Sequence, residues 1–269
     1  MKKRYFFYLF LLAMIGMILY AFFIEPKRIV THNYTIGNND GQKPIKIVQL
    51  SDIHIQEKYP VSHLEKIVTK VNNEKPDIIL FTGDLFDNYA EYGPTEEVIT
   101  ALGRLTAPLG KYAVWGNHDY GGGAARIYPE ILAAADFQLL ENSGVNVPVS
   151  NEKSIYIGGL DDSMLGNSLI DDTLAARQSD YTILLSHEPD KADEVLDHDI
   201  QLILSGHSHG GQVRLPFFAI KNVMAEKYFE GFYTLANDTT LYVNTGLGTT
   251  KIPVRFRVPP EIAVFDLYV

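Results

Sequence analysis

The sequence predicts an α/β fold: a four-layer α/β/β/α sandwich of two mixed β-sheets, preceded by one transmembrane helix. Three observations predict it. From Ile45 to Trp115, apolar runs of strand length alternate with amphipathic stretches of helix length, in units of roughly thirty residues, which is the βαβ pattern. The second half is richer in strand-like runs, enough for a second sheet, with only short helical stretches between them. Residues Tyr5 to Ile24 carry neither charge nor proline. Such a run, at 1.5 Å per residue, spans roughly the 30 Å core of a bilayer.

Taken in order, the apolar run is preceded by Lys2, Lys3 and Arg4, which favours a cytoplasmic start and an extracytoplasmic domain. Lys27 and Arg28 on the far side weaken that asymmetry. The exit through Phe22-Phe23-Ile24-Glu25-Pro26 lacks a small-x-small cleavage site, so residues 1–25 read as a retained anchor at the cell membrane, not a signal peptide. Residues 26–44, polar and holding Gly37-Asn38-Asn39-Asp40-Gly41, read as a linker, and the domain is expected over 45–269. Strands are expected at 45–50, 77–82, 111–115, 145–149, 154–158, 181–185, 200–204, 241–243 and 261–267. Helices are expected at 61–73, 95–105, 171–177 and 191–196.

Composition narrows the chemistry. There is no cysteine, so any metal must sit on imidazole, carboxylate, amide or water. A formal net charge of −10 argues against a nucleic-acid footprint, which needs a basic face. It leaves room for an anionic substrate, because two bound divalent ions would bring about four positive charges into one cleft.

Five polar islands each follow an apolar strand: Asp52-Ile53-His54, Gly83-Asp84, Gly116-Asn117-His118-Asp119, Ser186-His187-Glu188 and Gly206-His207-Ser208-His209. Ligands of α/β sheets bind beyond the carboxyl ends of strands, so five such ends can build one site. Asp52 and His54, two residues apart, can chelate one ion, and His207 and His209 repeat that spacing among glycines. Asp84 has two oxygens and can bridge two ions, and Asn117 offers a neutral amide oxygen. Together with His187 these residues supply nearly the whole ligand list of two adjacent metals, and His118 is left over to work beside them. A metal pair clamps the attacking and leaving oxygens of a phosphoester. Nitrogen and oxygen ligands without sulfur suit Mn, Fe or Zn. Of the eight histidines, His32, His63 and His198 lie outside the islands and are expected on the solvated surface.

The ordered pattern Asp-x-His, Gly-Asp, Gly-Asn-His-Asp, His and Gly-His-x-His resembles the calcineurin-like metallophosphoesterase superfamily, from about Ile45 to the C-terminus. The anchor, Gly206-His207-Ser208-His209-Gly210-Gly211-Gln212 and Asn244-Thr245-Gly246-Leu247-Gly248 resemble its bacterial membrane-attached or exported branch. The resemblance implies that Asp52, His54 and His209 bind a first metal, that Asp84 bridges, and that Asn117, His187 and His207 bind a second. It also implies hydrolysis of a phosphoester, with His118 protonating the leaving oxygen and Asp119 either orienting that imidazole or bonding to backbone. An anchored site makes a lipid-linked or cell-envelope phosphodiester the expected substrate. A phosphomonoester, or a scaffold without catalysis, is the alternative. Arg214 and Leu215-Pro216-Phe217-Phe218 form a loop that is either buried or in contact with such a substrate, and Gly121-Gly122-Gly123 is either a lip or a turn.

Overall fold

The apolar N-terminus forms one long helix in the computed structural model. The structure describes every residue except Met1, Asp40, Asn151, Asp180, Pro216, Phe217 and Ile220, and it leaves out the side chains of 1–3 and 216–220. α1 (Lys2–Leu19) runs into a π-helical turn over Tyr20–Ile24 and a 3₁₀ turn over Glu25–Lys27. Side chains from Arg4 to Leu19 are exposed throughout, and the segment Arg4–Lys27 is long and apolar enough to cross a membrane.

β1 (Val30–Ile36) follows at once and corrects the expected linker. It pairs in parallel with the last strand, from Val30 opposite Glu261 to Ile36 opposite Leu267. Its polarity is that of an edge strand: His32, Asn33 and Thr35 are exposed, while Tyr34 and Ile36 pack on the core between the sheets. Strands therefore begin at Val30, ahead of Ile45, and only residues 37–44 connect.

Then come β2 (Ile45–Leu50), α2 (Val61–Glu74), β3 (Ile78–Phe81), α3 (Thr95–Leu102), β4 (Lys111–Ala113), α4 (Asn117–Gly121), α5 (Tyr128–Ala134) and β5 (Gln138–Leu139). The second half adds β6 (Ser143–Pro148), β7 (Ser154–Gly159), α6 (Ile170–Leu174), β8 (Tyr181–Leu185), β9 (Leu202–Ser205), β10 (Arg214–Leu215) and β11 (Phe218–Ala219). It closes with β12 (Gly231–Thr234), β13 (Thr240–Val243) and β14 (Glu261–Leu267). The helix expected to reach Leu105 stops at Leu102, capped by Gly103, and the one expected at 171–177 is the shorter α6. The helix expected at 191–196 is two short 3₁₀ segments, Pro189–Glu194 and Leu196–His198, too brief for a ladder of α-type bonds.

One six-stranded sheet has the order β1-β14-β2-β3-β4-β5 and the other β12-β13-β9-β8-β7-β6; β10 and β11 form a separate hairpin. Both sheets are mixed, and the two-residue period of a strand explains the layers. Ile45, Ile47, Ile78 and Leu80 face Ile183, Leu185, Leu202 and Leu204 across the inter-sheet core. Val48, Leu50, Ile79 and Phe81 face α2, α3 and α5. Leu184, Ile203 and Leu241 face outward to Ala192, Val195 and α6. The expected four layers are present. β2, β3, β4 and β5 run parallel, as do β13, β9, β8 and β7, so the functional loops emerge along shared sheet edges.

Candidate metal centre

Five candidate ligands sit where side-chain-bearing residues rarely go. Asp52, His54, Asp84, His207 and His209 all have φ between 47° and 66°, the left-handed region. Each such residue costs about 1 kcal/mol or more and persists only where its surroundings hold it. The surroundings here are close-packed backbone. A Cβ at Gly206 would strike Ser51 and Asp52, and one at Gly246 would strike the Asp52 side chain. Leu247 and Gly248 donate their N–H groups to the Asp52 carbonyl at 3.2 and 2.7 Å, so the Asn244–Gly248 run braces the first island.

All seven predicted ligands converge. His54 Nε2 lies 3.0 Å from His209 Nε2, which is 3.4 Å from Asp52 Oδ1. Asp84 Oδ2 lies 3.3 Å from both His54 Nε2 and His187 Nε2. His207 Nδ1 is 3.3 Å from His187 Nε2 and 2.9 Å from Asn117 Oδ1. Two ligand atoms on one ion at about 2.1 Å lie roughly 3.0–3.4 Å apart for octahedral to tetrahedral angles, so these spacings fit two metals sharing Asp84.

The hydrogen bonds point the same way. His187 Nδ1–H donates to the Thr82 carbonyl at 2.6 Å, and His207 Nε2–H donates to the Val223 carbonyl at 2.8 Å. Burial, then the charge of His187, lowers the His207 pKa, so its ring is neutral and its one proton is committed to Val223. The bare lone pair of His207 Nδ1 then faces the Asn117 amide oxygen at 2.9 Å, two acceptors in close contact, an arrangement a cation relieves. Burial opposes charge on Asp84, but His187 and His54 outweigh it and hold the carboxyl well below its usual range. For His54, burial disfavours charge while Asp52, Asp84 and Asp87 favour it, and the pKa ends well above normal.

His118 is the second residue of α4, at the mouth of the site. Its N–H donates to Asp84 Oδ1 at 2.8 Å, and its Nδ1–H donates to the Asp87 carbonyl at 2.7 Å, leaving Nε2 without a hydrogen-bond partner among the described residues. Asp119 does not orient this imidazole. It is buried and accepts N–H bonds from Asp84, Leu85 and Gly116 at 2.9, 3.0 and 3.1 Å, tying two of the islands together. Burial and the nearby Asp84 charge push its carboxyl up to about 7. Gly122 caps α4, so the glycine run is a helix end.

Sequence reasoning missed three residues. Asp87, three after Asp84, supports His118 through its carbonyl and places Oδ1 3.2 Å from His54 Nδ1. Arg255 is wholly buried, its guanidinium bonded to the carbonyls of Thr245, Gly246, Gly248 and Val258 and 3.4 Å from His209 Nδ1. Glu188 is buried beside His187, with a carboxyl that burial raises to about 8 against the His187 charge. Its Oε2 accepts the Ser163 N–H at 3.0 Å, a structural use. Arg255 carries no sequence signal that separates it from an ordinary arginine, whereas Glu188 stands in the Ser186-His187-Glu188 island beside a candidate ligand.

Of the remaining histidines, His32 is exposed and His198 partly so, but His63 is a correction. It lies on the inner face of α2, buried, with its ring centroid 3.7 Å from that of Tyr59. Arg214 bonds Glu230 and the Gly210 carbonyl, and Leu215 is exposed; Pro216, Phe217 and the Phe218 side chain lie outside the described residues.

Comparison with known proteins agrees with this geometry. Residues 45–211 match the sequence profile of the calcineurin-like phosphoesterases. The chain is 41% identical to an uncharacterized metallophosphoesterase, YkuE, of Bacillus subtilis, over 92% of this chain and 88% of that one. It is 33% identical to a Danio rerio transmembrane protein with a metallophosphoesterase domain, over 81% of this chain and 52% of the relative. Among solved structures, GAP50, the anchor in the inner membrane complex of Plasmodium, shares the fold, with a TM-score of 0.50, 12% identity, and 83% and 81% of the two chains covered.

Proposed function

The chain belongs to the calcineurin-like phosphoesterase family and hydrolyses phosphoester bonds, and from that premise we propose that it is a membrane-anchored two-metal phosphodiesterase of the cell envelope. The observation that carries the two-metal reading is the single oxygen, Asp84 Oδ2, 3.3 Å from one histidine of each ligand set. Asp52, His54 and His209 would hold one ion, Asn117, His187 and His207 would hold the other, and Asp84 would be shared. Ions of the Mn, Fe or Zn type suit these donors. Bound there, two such ions supply an activated water and neutralise charge on the phosphoryl oxygens.

The protein's own groups do the rest. His118, with Nδ1 committed to the Asp87 carbonyl, presents Nε2 to carry the proton delivered to the leaving oxygen. Asp119 fixes the backbone of Asp84 and Gly116, so the bridging carboxylate and the catalytic imidazole keep one spacing. Two clefts touch residues of the centre, one lined by His118, Asn88 and Leu165 and the other by His209 and Gln212. Room in two clefts favours a diester, which carries two substituents, over a monoester. The apolar N-terminal helix, with Lys2, Lys3 and Arg4 ahead of it, supports a membrane anchor and an extracytoplasmic site, where lipid-linked or envelope phosphoesters lie within reach.

The test loads the full-length protein with Mn and compares aryl phosphodiester with aryl phosphomonoester, alongside Asp84→Ala. Metal-dependent hydrolysis that prefers the diester, and is lost in the variant, is expected. A preference for the monoester would overturn the diesterase reading, and one ion per chain would overturn the two-metal reading.

A further inference from the structure

α1 ends in a socket on the domain. Ala21 and Glu25, one helical turn apart, are both buried, as is Pro26, while Phe22, Phe23 and Ile24 between them remain exposed. The Ala21 carbonyl accepts the Arg255 N–H at 3.0 Å. Glu25 Oε1 accepts the Val258 N–H at 2.6 Å, and the Pro26 carbonyl accepts the Tyr59 hydroxyl at 3.2 Å. Arg255 in turn reaches the Thr245–Gly248 run that braces Asp52. The last apolar turn of the helix is therefore joined to the wall of the metal centre by hydrogen bonds in series.

Phe23, 63% exposed, stands beside the turn where Arg255 meets the helix, within the apolar segment Arg4–Lys27. Ile252, 56% exposed, stands on the 250–258 loop. Lys27, Arg28, Lys58, Lys251 and Arg257, all exposed, adjoin the docked residues, a local cationic fringe on a chain of net charge −10. Cations beside an apolar tip suit an anionic headgroup layer. Behind the loop, a cavity of about 140 Å³ opens beside His209 between Gln212 and Val213 on one side and Thr250, Ile252 and Val254 on the other.

We propose that the 250–258 loop seats in the headgroup layer of the bilayer that holds α1, and that the groove behind it takes the apolar chain of a membrane phospholipid whose phosphoester meets the metal centre. This rests on the two-metal phosphodiesterase reading and adds to it the substrate class and the route of entry. The substrate moves sideways from the membrane into the site and need not leave the lipid phase.

Two measurements on the full chain in phosphatidylcholine vesicles test it. In the first, the acyl chains carry bromine, and fluorescence quenching is read for Ile252→Trp and for Glu152→Trp, the latter on the turn between β6 and β7 at the opposite end of the strands. The natural Trp115 is buried and serves as background. Strong quenching at 252 and little at 152 is expected; equal quenching would overturn the seating. In the second, kcat/KM is followed along a series of alkyl aryl phosphodiesters of rising chain length. A gain of roughly 4-fold per methylene until the groove fills is expected, and Ile252→Asp should flatten that slope. A flat slope in the wild type would overturn the chain-binding groove and leave the phosphodiesterase reading intact. No hydrolysis of even the shortest diester would instead sink that reading, with the quenching result still deciding the seating.

Discussion

The two half-sites that meet at Asp84 are built differently. The side of Asp52, His54 and His209 brings a carboxylate of its own and is buried to 2% exposure or less. The side of Asn117, His187 and His207 brings no carboxylate of its own beyond the shared Asp84, and Asn117 is half-buried. The first is braced by Arg255 and the Asn244–Gly248 run; the second is held by single carbonyls of Thr82 and Val223. Charge count and burial both favour tight binding on the first side. The more open side, without a carboxylate of its own, suits the ion that exchanges and that a substrate oxygen can approach. On the proposed assignment, one ion is structural in character and the other is the working partner.

The hardest test of that asymmetry is the residue both sides share. Asp84→Ala removes the bridging oxygen, so both ions and all metal-dependent turnover should go, read by elemental analysis and rate together. If the variant keeps one ion at full occupancy, the halves are more independent than the shared oxygen implies. Next in size is His118→Ala, which removes an imidazole that is not itself a proposed ligand and keeps the backbone N–H bonded to Asp84. It should hold both ions and lose turnover by roughly 10²–10⁴-fold, the usual worth of a positioned proton donor. Wild-type turnover in this variant would remove His118 from the chemistry.

A smaller effect sharpens the contrast directly. Under graded chelation, the Asn117 side should empty first, giving a one-ion species before the apo-protein. Asn117→Asp adds the missing charge and should tighten that ion by roughly tenfold. Simultaneous release of both ions would mean that charge count does not rank the sites.

How much of this was legible in the sequence follows from the reach of each signal. The convergence of the five islands was readable because each couples a local spacing to the end of an apolar strand, as in Asp52-x-His54 after Ile45–Leu50. The two sheets were readable for the same reason, with β14 matching its expected bounds of Glu261–Leu267. Asp87 was not, because its carbonyl meets His118 from 31 residues away and an acidic loop residue is commonplace. Arg255 reads as a surface arginine until the fold closes backbone carbonyls around it. β1 looked like a linker because its parallel partner is the last strand of the chain, so nothing local marks it as paired. Polar edge strands and buried charges depend on distant partners, and periodicity sees only neighbours.

His63 makes the same point and yields the mildest prediction. A histidine among the lysines of α2 looks solvated, yet it shares the buried face with Leu64, Ile67 and Val71. Burial first, then the charges of Lys66, Lys27 and Arg255, lowers its pKa to about 4. The unfolded chain titrates this group near its ordinary 6.5, so between about 6.5 and 4 the unfolded state binds the extra proton. Stability is full above about 6.5 and falls as pH drops through that window, by about 3 kcal/mol at most from this group. His63→Leu removes this titration and should flatten the acid limb of a denaturation curve relative to the wild type, the two proteins being compared at the same metal content so that the titration of the centre is common to both. Because His63 stands against Tyr59, whose hydroxyl holds Pro26, its protonation should also loosen the helix joint before the sheets give way. An acid limb unchanged by the substitution would put the lability elsewhere, and the carboxylates of the metal centre would be the next to test.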